Sequence, residues 1–102
     1  MINGFHHVAM RAKDFDRTIK FYTEGLGFGV KNKWEMDDGN RAVMLDTGEN
    51  NYLEIFEGKD SKVREGSYIH LAFATDNCDK SLEMAENAGA EITMESENID
   101  IK

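Results

Sequence analysis

Three side chains carry the chemistry this sequence offers: His7, Glu54 and His70. Two neutral imidazoles and one carboxylate are ligands for a divalent transition metal. Glu54 stands between Leu53 and Ile55, where a carboxylate without a partner is expensive to bury. A cation shared with the imidazoles would remove that cost. Taken singly, each residue has an ordinary reading. His7 follows His6 near the chain start and suits a surface position, Glu54 suits an outward strand position, and His70 suits a hydrogen-bonded core imidazole. Taken jointly they point to a metal site, because the chain contains a repeat. Sliding it by 63 residues sets His7 on His70, Ala9 on Ala72 and Asp16 on Asp79. Arg17 then meets Lys80, Thr18 meets Ser81 and Ile19 meets Leu82.

The elements that must position these groups follow from periodicity. Residues 5–12 alternate and predict a strand, with His7, Ala9 and Arg11 on one face and Val8 and Met10 on the other. Asp14 offers an N-cap, Asp16 adds a first-turn carboxylate that the helix dipole favours, and Phe15, Ile19 and Tyr22 make one apolar helical stripe ending at Gly25 and Gly27. Three strands are predicted next, at 30–36, 41–46 and 52–56, with turns at 37–40 and 48–51. In the last of them Tyr52, Glu54 and Phe56 oppose Leu53 and Ile55. Residues 59–65 form a polar connector. A fifth strand at 68–75 has His70 opposite Ile69, Leu71 and Phe73. Asp76 or Asn77 then caps a helix that ends at Gly89, and a further strand begins at 91–94. The predicted fold is α+β, with paired βαβββ modules forming a curved mixed sheet around a metal cavity. The first module is 1–62 and the second, incomplete, is 63–102, together one domain. A complete second copy would run to about 119, so either its last two strands lie beyond this sequence or something else covers the exposed sheet edge. His6 has the wrong parity for a ligand.

Bulk properties set limits. Net charge is −8, with 40% apolar and 31% charged residues among 102. Nucleic acid and anionic membrane surfaces are excluded as partners, since phosphate binding needs clustered Lys and Arg. The single cysteine, Cys78, cannot form an internal disulfide, which fits a reducing compartment. No apolar run approaches a membrane span and no signal peptide opens the chain, so a cytoplasmic protein is expected. Cys78 is expected to pack against the sheet, and the methionines are read as packing residues.

His7-Val8-Ala9-Met10-Arg11, then Asp14 to Tyr22, then Gly25-Leu26-Gly27-Phe28 resemble the opening of the glyoxalase/bleomycin-resistance/dioxygenase group, the vicinal oxygen chelate superfamily. Tyr52 to Phe56 and Ile69 to Phe73 resemble its fourth and fifth strands. The resemblance implies metal ligands at His7, Glu54 and His70, with a fourth, usually Glu, at about 117 in a complete repeat. That fourth residue is also the usual catalytic base. Within the present chain Glu54 is the candidate catalytic carboxylate. The implied chemistry is glyoxalase I-like: two vicinal substrate oxygens bind one cation, which acts as a Lewis acid while a carboxylate moves a proton beside a carbonyl. Zn, Ni, Mn, Fe and Co all suit such a donor set. Arg11 matches a position that binds the glutathione carboxylate in bacterial members, and is equally readable as a solvent-facing strand end. Gly58 stands where those enzymes usually carry Asn, which weighs against glutathione. Trp34 is a candidate for the substrate wall or for core cover. Two alternatives stay open: a metal-free binding or resistance protein with walls such as Trp34, Tyr52 and Tyr68, and an Fe(II) dioxygenase. Since family sites are often built from modules of two chains, a two-fold homodimer acting on a small molecule is expected.

Overall fold

The computed structural model describes residues 1–58 and 71–96. Strand β1 (His7–Ala12) keeps the predicted parity. Ala12 is buried and Met10 packs on the core, while His7, Ala9 and Arg11 lie exposed on the opposite face. Asp14 caps α1 (Phe15–Lys20): its carboxylate accepts the Arg17 N–H at 3.2 Å. The helix then widens into a π-helical segment, Phe21–Gly25. There the Leu26 N–H reaches back to the Phe21 carbonyl, and the Thr23 hydroxyl donates to the Ile19 carbonyl. Gly27, at φ +82°, lets the chain leave the helix.

Strands β2 (Gly29–Glu35), β3 (Arg41–Gly48) and β4 (Asn51–Glu57) follow. The β3–β4 hairpin closes through Glu49 and Asn50, both at positive φ as a tight type I′ turn requires. The sheet order is β1-β4-β3-β2, with β1 parallel to β4 and the other pairs antiparallel. This mixed four-stranded open sheet matches the predicted α+β class.

One face of the sheet is the core. Val43, Leu45, Leu53 and Ile55 are almost fully buried, and Phe15, Ile19 and Tyr22 of the helical stripe cover them with Phe28. Burying a side chain of this size contributes about 1.5–3 kcal/mol each, which makes this face the main source of stability. At its rim Glu57, on the same parity as Leu53 and Ile55, is buried too. Arg41 donates to its carboxylate from Nε (3.2 Å), Nη2 (2.8 Å) and the backbone N–H (3.0 Å), and also bonds Asp16 at 2.9 Å from Nη1. Asp16 was expected only as a first-turn carboxylate; here it also ties α1 to β3. The Glu57 and then Asp16 hydrogen bonds hold the Arg41 guanidinium above its ordinary pKa, so it is permanently charged.

The second unit departs from expectation. Residues 71–75, predicted to finish the fifth strand, are exposed and outside any strand. Phe73 nevertheless reaches the core side, 5.3 Å from the Phe28 ring and 6.5 Å from Tyr22. Helix α2 (Cys78–Asn87) forms as predicted, with Asn77 as its cap, accepting the Lys80 N–H at 3.0 Å. It packs on the π-helical segment, where Gly25 leaves no room for a side chain beside Ala88. Cys78 is exposed and not packed on the sheet. Residues 91–94 form no strand. After Gly89 the chain folds back along α2, and the Ser96 hydroxyl bonds the Asp79 carboxylate. A strand needs a backbone partner, and among the described residues nothing pairs with this segment. The division at 62/63 and the connector at 59–65 lie outside the described residues. Among the described residues no helix is long and apolar enough to cross a membrane.

Candidate metal centre

The face of the sheet opposite the core collects the chemistry, and the strand register sets it out in rows. Arg11, Phe56, Ala42 and Trp34 lie side by side in one row, Ala9, Glu54, Met44 and Asn32 in the next, and His7, Tyr52 and Asp46 in the third. His7 and Glu54 sit on adjacent strands one row apart, within diagonal reach for long side chains. His7 Nε2 stands 3.7 Å from Glu54 Oε1. That separation is too long for a hydrogen bond. Two ligand atoms about 2.1 Å from one cation stand about 3.0–3.4 Å apart at octahedral to tetrahedral angles, so a small rotation of either side chain brings the pair to ligand spacing.

The donor set suits a cation for a second reason. The Glu54 side chain is only 15% exposed, and its one ionic neighbour among the described residues is His7. A carboxylate so placed lacks most of the water that would otherwise stabilise its charge. His7 is less covered, at 39%, and its other nitrogen, Nδ1, is 2.8 Å from Nδ1 of His6. With Nδ1 engaged, Nε2 is the nitrogen turned toward Glu54. Residues present here therefore fit a divalent ion as two of its ligands. His70, the third predicted ligand, lies outside the described residues. Among the described residues no group of three or more His, Cys, Asp and Glu is arranged to hold a metal.

The two predicted substrate-binding residues occupy one row, at opposite edges of the sheet. Trp34 is half-buried and meets the Phe56 ring edge-to-face at 6.2 Å; the two rings flank the buried Ala42. Trp34 thus belongs to the open face and not to the core. Arg11 is exposed at the β1 edge beside Phe56. At the third row, Lys31, displaced by a bulge in β2, sets its ammonium 6.0 Å from the Tyr52 ring centroid. His6, His7 and Tyr52 also line a cleft of about 540 Å³ that continues past the β3–β4 turn toward Phe28 and Phe73. Sequence reasoning passed over two features. The Glu57 carboxylate was legible from its parity with Leu53 and Ile55. The His6–His7 contact was not, since strand alternation sends neighbours to opposite faces.

Residues 4–99 match the profile of the Glyoxalase/Bleomycin resistance protein/Dioxygenase superfamily, and the chain belongs to that family. Over 95 residues it is 30% identical to a probable lactoylglutathione lyase, chloroplastic, of Arabidopsis thaliana, covering 87% of this chain and 27% of that protein. Among solved structures, the trypanothione-dependent glyoxalase I of Leishmania major superposes with a TM-score of 0.76 at 28% identity, covering 94% of this chain and 73% of that one. A point mutant of the fosfomycin resistance protein FosX of Listeria monocytogenes, complexed with Mn(II) and a dihydroxypropylphosphonic acid, gives 0.74 at 20% identity. It covers 97% of this chain and 79% of its own, and that likeness speaks to the fold alone.

Proposed function

We propose that this chain supplies part of a metal-dependent lyase or isomerase site of glyoxalase type, moving a proton next to a carbonyl of a small α-oxo substrate such as a lactoyl-thiol adduct. The observation that carries the reading is the His7–Glu54 pair, 3.7 Å apart on the open face, with the imidazole's second nitrogen already engaged. His7, Glu54 and His70 are the ligands in this proposal. Zn, Ni, Mn, Fe and Co all suit the set. Bound there, the cation would supply Lewis-acid polarisation of the substrate oxygens. Glu54 holds negative charge beside that centre and is the catalytic carboxylate within the chain. Arg11 offers a cation to an anionic substrate group, and Trp34 with Phe56 offers an apolar wall one row from Glu54. The 1–62 and 63–102 modules act as one domain, and a two-fold homodimer is the proposed assembly.

The test is turnover of the hemithioacetal formed from methylglyoxal and a thiol, with metal-loaded and chelator-treated protein. Thioester formation that needs the metal and is lost in Glu54→Gln supports the reading. Turnover of a catechol in its place, or tight binding of small molecules without metal, would replace it. Sedimentation showing only monomer at micromolar concentration would remove the homodimer.

A further inference from the structure

We infer that His6 is a positioning residue for His7: its ring nitrogen accepts the His7 Nδ1 proton and so presents the His7 Nε2 lone pair to the cation. The inference rests on the metal site proposed above. A metal-bound imidazole almost always gives its other N–H to a carboxylate, a backbone carbonyl or water, and that partner fixes tautomer and ring orientation. His7 has a different partner, Nδ1 of the preceding histidine at 2.8 Å.

His6 is itself held in place. Its carbonyl accepts the Tyr52 N–H at 2.9 Å, which extends the β1–β4 ladder by one residue. Its ring lies 5.1 Å from the Tyr52 ring on one side and 5.1 Å, edge-to-face, from His7 on the other. The main-chain bond anchors the His6 backbone and the Tyr52 ring packs beside its imidazole, which together set that nitrogen next to His7. Two adjacent strand residues usually diverge. Here His6 stands just before the first residue of β1, and its ring meets that of His7.

The experiment compares wild-type protein with His6→Phe and His6→Asn. Phe keeps the ring contact with Tyr52 but has no acceptor; Asn places an oxygen near the position of Nδ1. Long-range ¹H–¹⁵N spectra of metal-free protein read the His7 tautomer. The His7 Nδ1–H form should be more populated in wild type and His6→Asn than in His6→Phe, where the proton moves to Nε2, the nitrogen that faces the Glu54 carboxylate in metal-free protein. Zinc titration should show His6→Phe binding about 10–100-fold more weakly, with His6→Asn within a few-fold of wild type. An unchanged tautomer in His6→Phe overturns the inference. So does zinc affinity equal to wild type. If wild-type protein binds no zinc, the metal site fails, and the tautomer comparison still decides whether His6 orients His7.

Discussion

A residue kept for chemistry and not for stability should reveal itself when neutralised, and Glu54 is the residue to test. Its side chain is 15% exposed, and no hydrogen bond among the described residues compensates its charge. In metal-free protein Glu54→Gln should therefore stabilise, by about 0.5–1 kcal/mol, as relief of a partly desolvated carboxylate. For a domain of this size that is a rise in Tm of about 2–8 °C. Metal reverses the order. At a free concentration one hundred times its Kd, an ion adds about 2.7 kcal/mol to wild type. If losing a ligand weakens binding about 100-fold, the same concentration equals the variant's Kd and adds only about 0.4 kcal/mol. The two melting curves should thus cross: the variant higher in chelator, wild type higher in zinc, by roughly 1–2 kcal/mol. Calorimetry or fluorescence melts at pH 8, where imidazoles are ordinarily neutral, read both arms. A variant less stable than wild type in chelator would make Glu54 structural. One that keeps the full metal-induced rise would remove it from the site.

Three further outcomes follow from the same structure. Leu53→Ala, one residue away on the core face and 1% exposed, should cost about 2.7–5 kcal/mol in denaturant unfolding, the opposite sign to Glu54→Gln. Glu49→Asn should stabilise by about 0.5–1 kcal/mol, because Glu49 sits at φ +50°, a region Asn tolerates better; thermal melts would check it. Burial raises the Tyr22 hydroxyl pKa above its ordinary value. The unfolded chain then ionises first, so this contribution is intact below about pH 10 and is lost as pH rises through the folded value. Tyr22→Phe should flatten the fall in Tm between pH 9 and pH 11.

Much of this was legible in the sequence because strand parity is a rule with period two. It sorts His7, Ala9 and Arg11 from Met10, and Glu54 and Phe56 from Leu53 and Ile55. The same rule extended one step would have placed Glu57 in the core, where Arg41 meets it. Asp16 was assigned to the helix dipole because sequence cannot show that an arginine 25 residues later folds over it. The π-helical widening after Lys20 escaped because hydrophobic spacing barely distinguishes it from an α-helix. Residues 91–94 have strand-like composition, but a strand also needs a partner edge. Trp34 needed its register with Ala42 and Phe56 before it could be assigned to the open face.

The most direct measurement is metal content after equilibration with cobalt, for wild type beside His7→Ala and His70→Ala. The account predicts one bound ion per site in wild type and loss of that ion in each variant, with folding shown by an unchanged circular dichroism spectrum. Full cobalt loading in folded His7→Ala would contradict it.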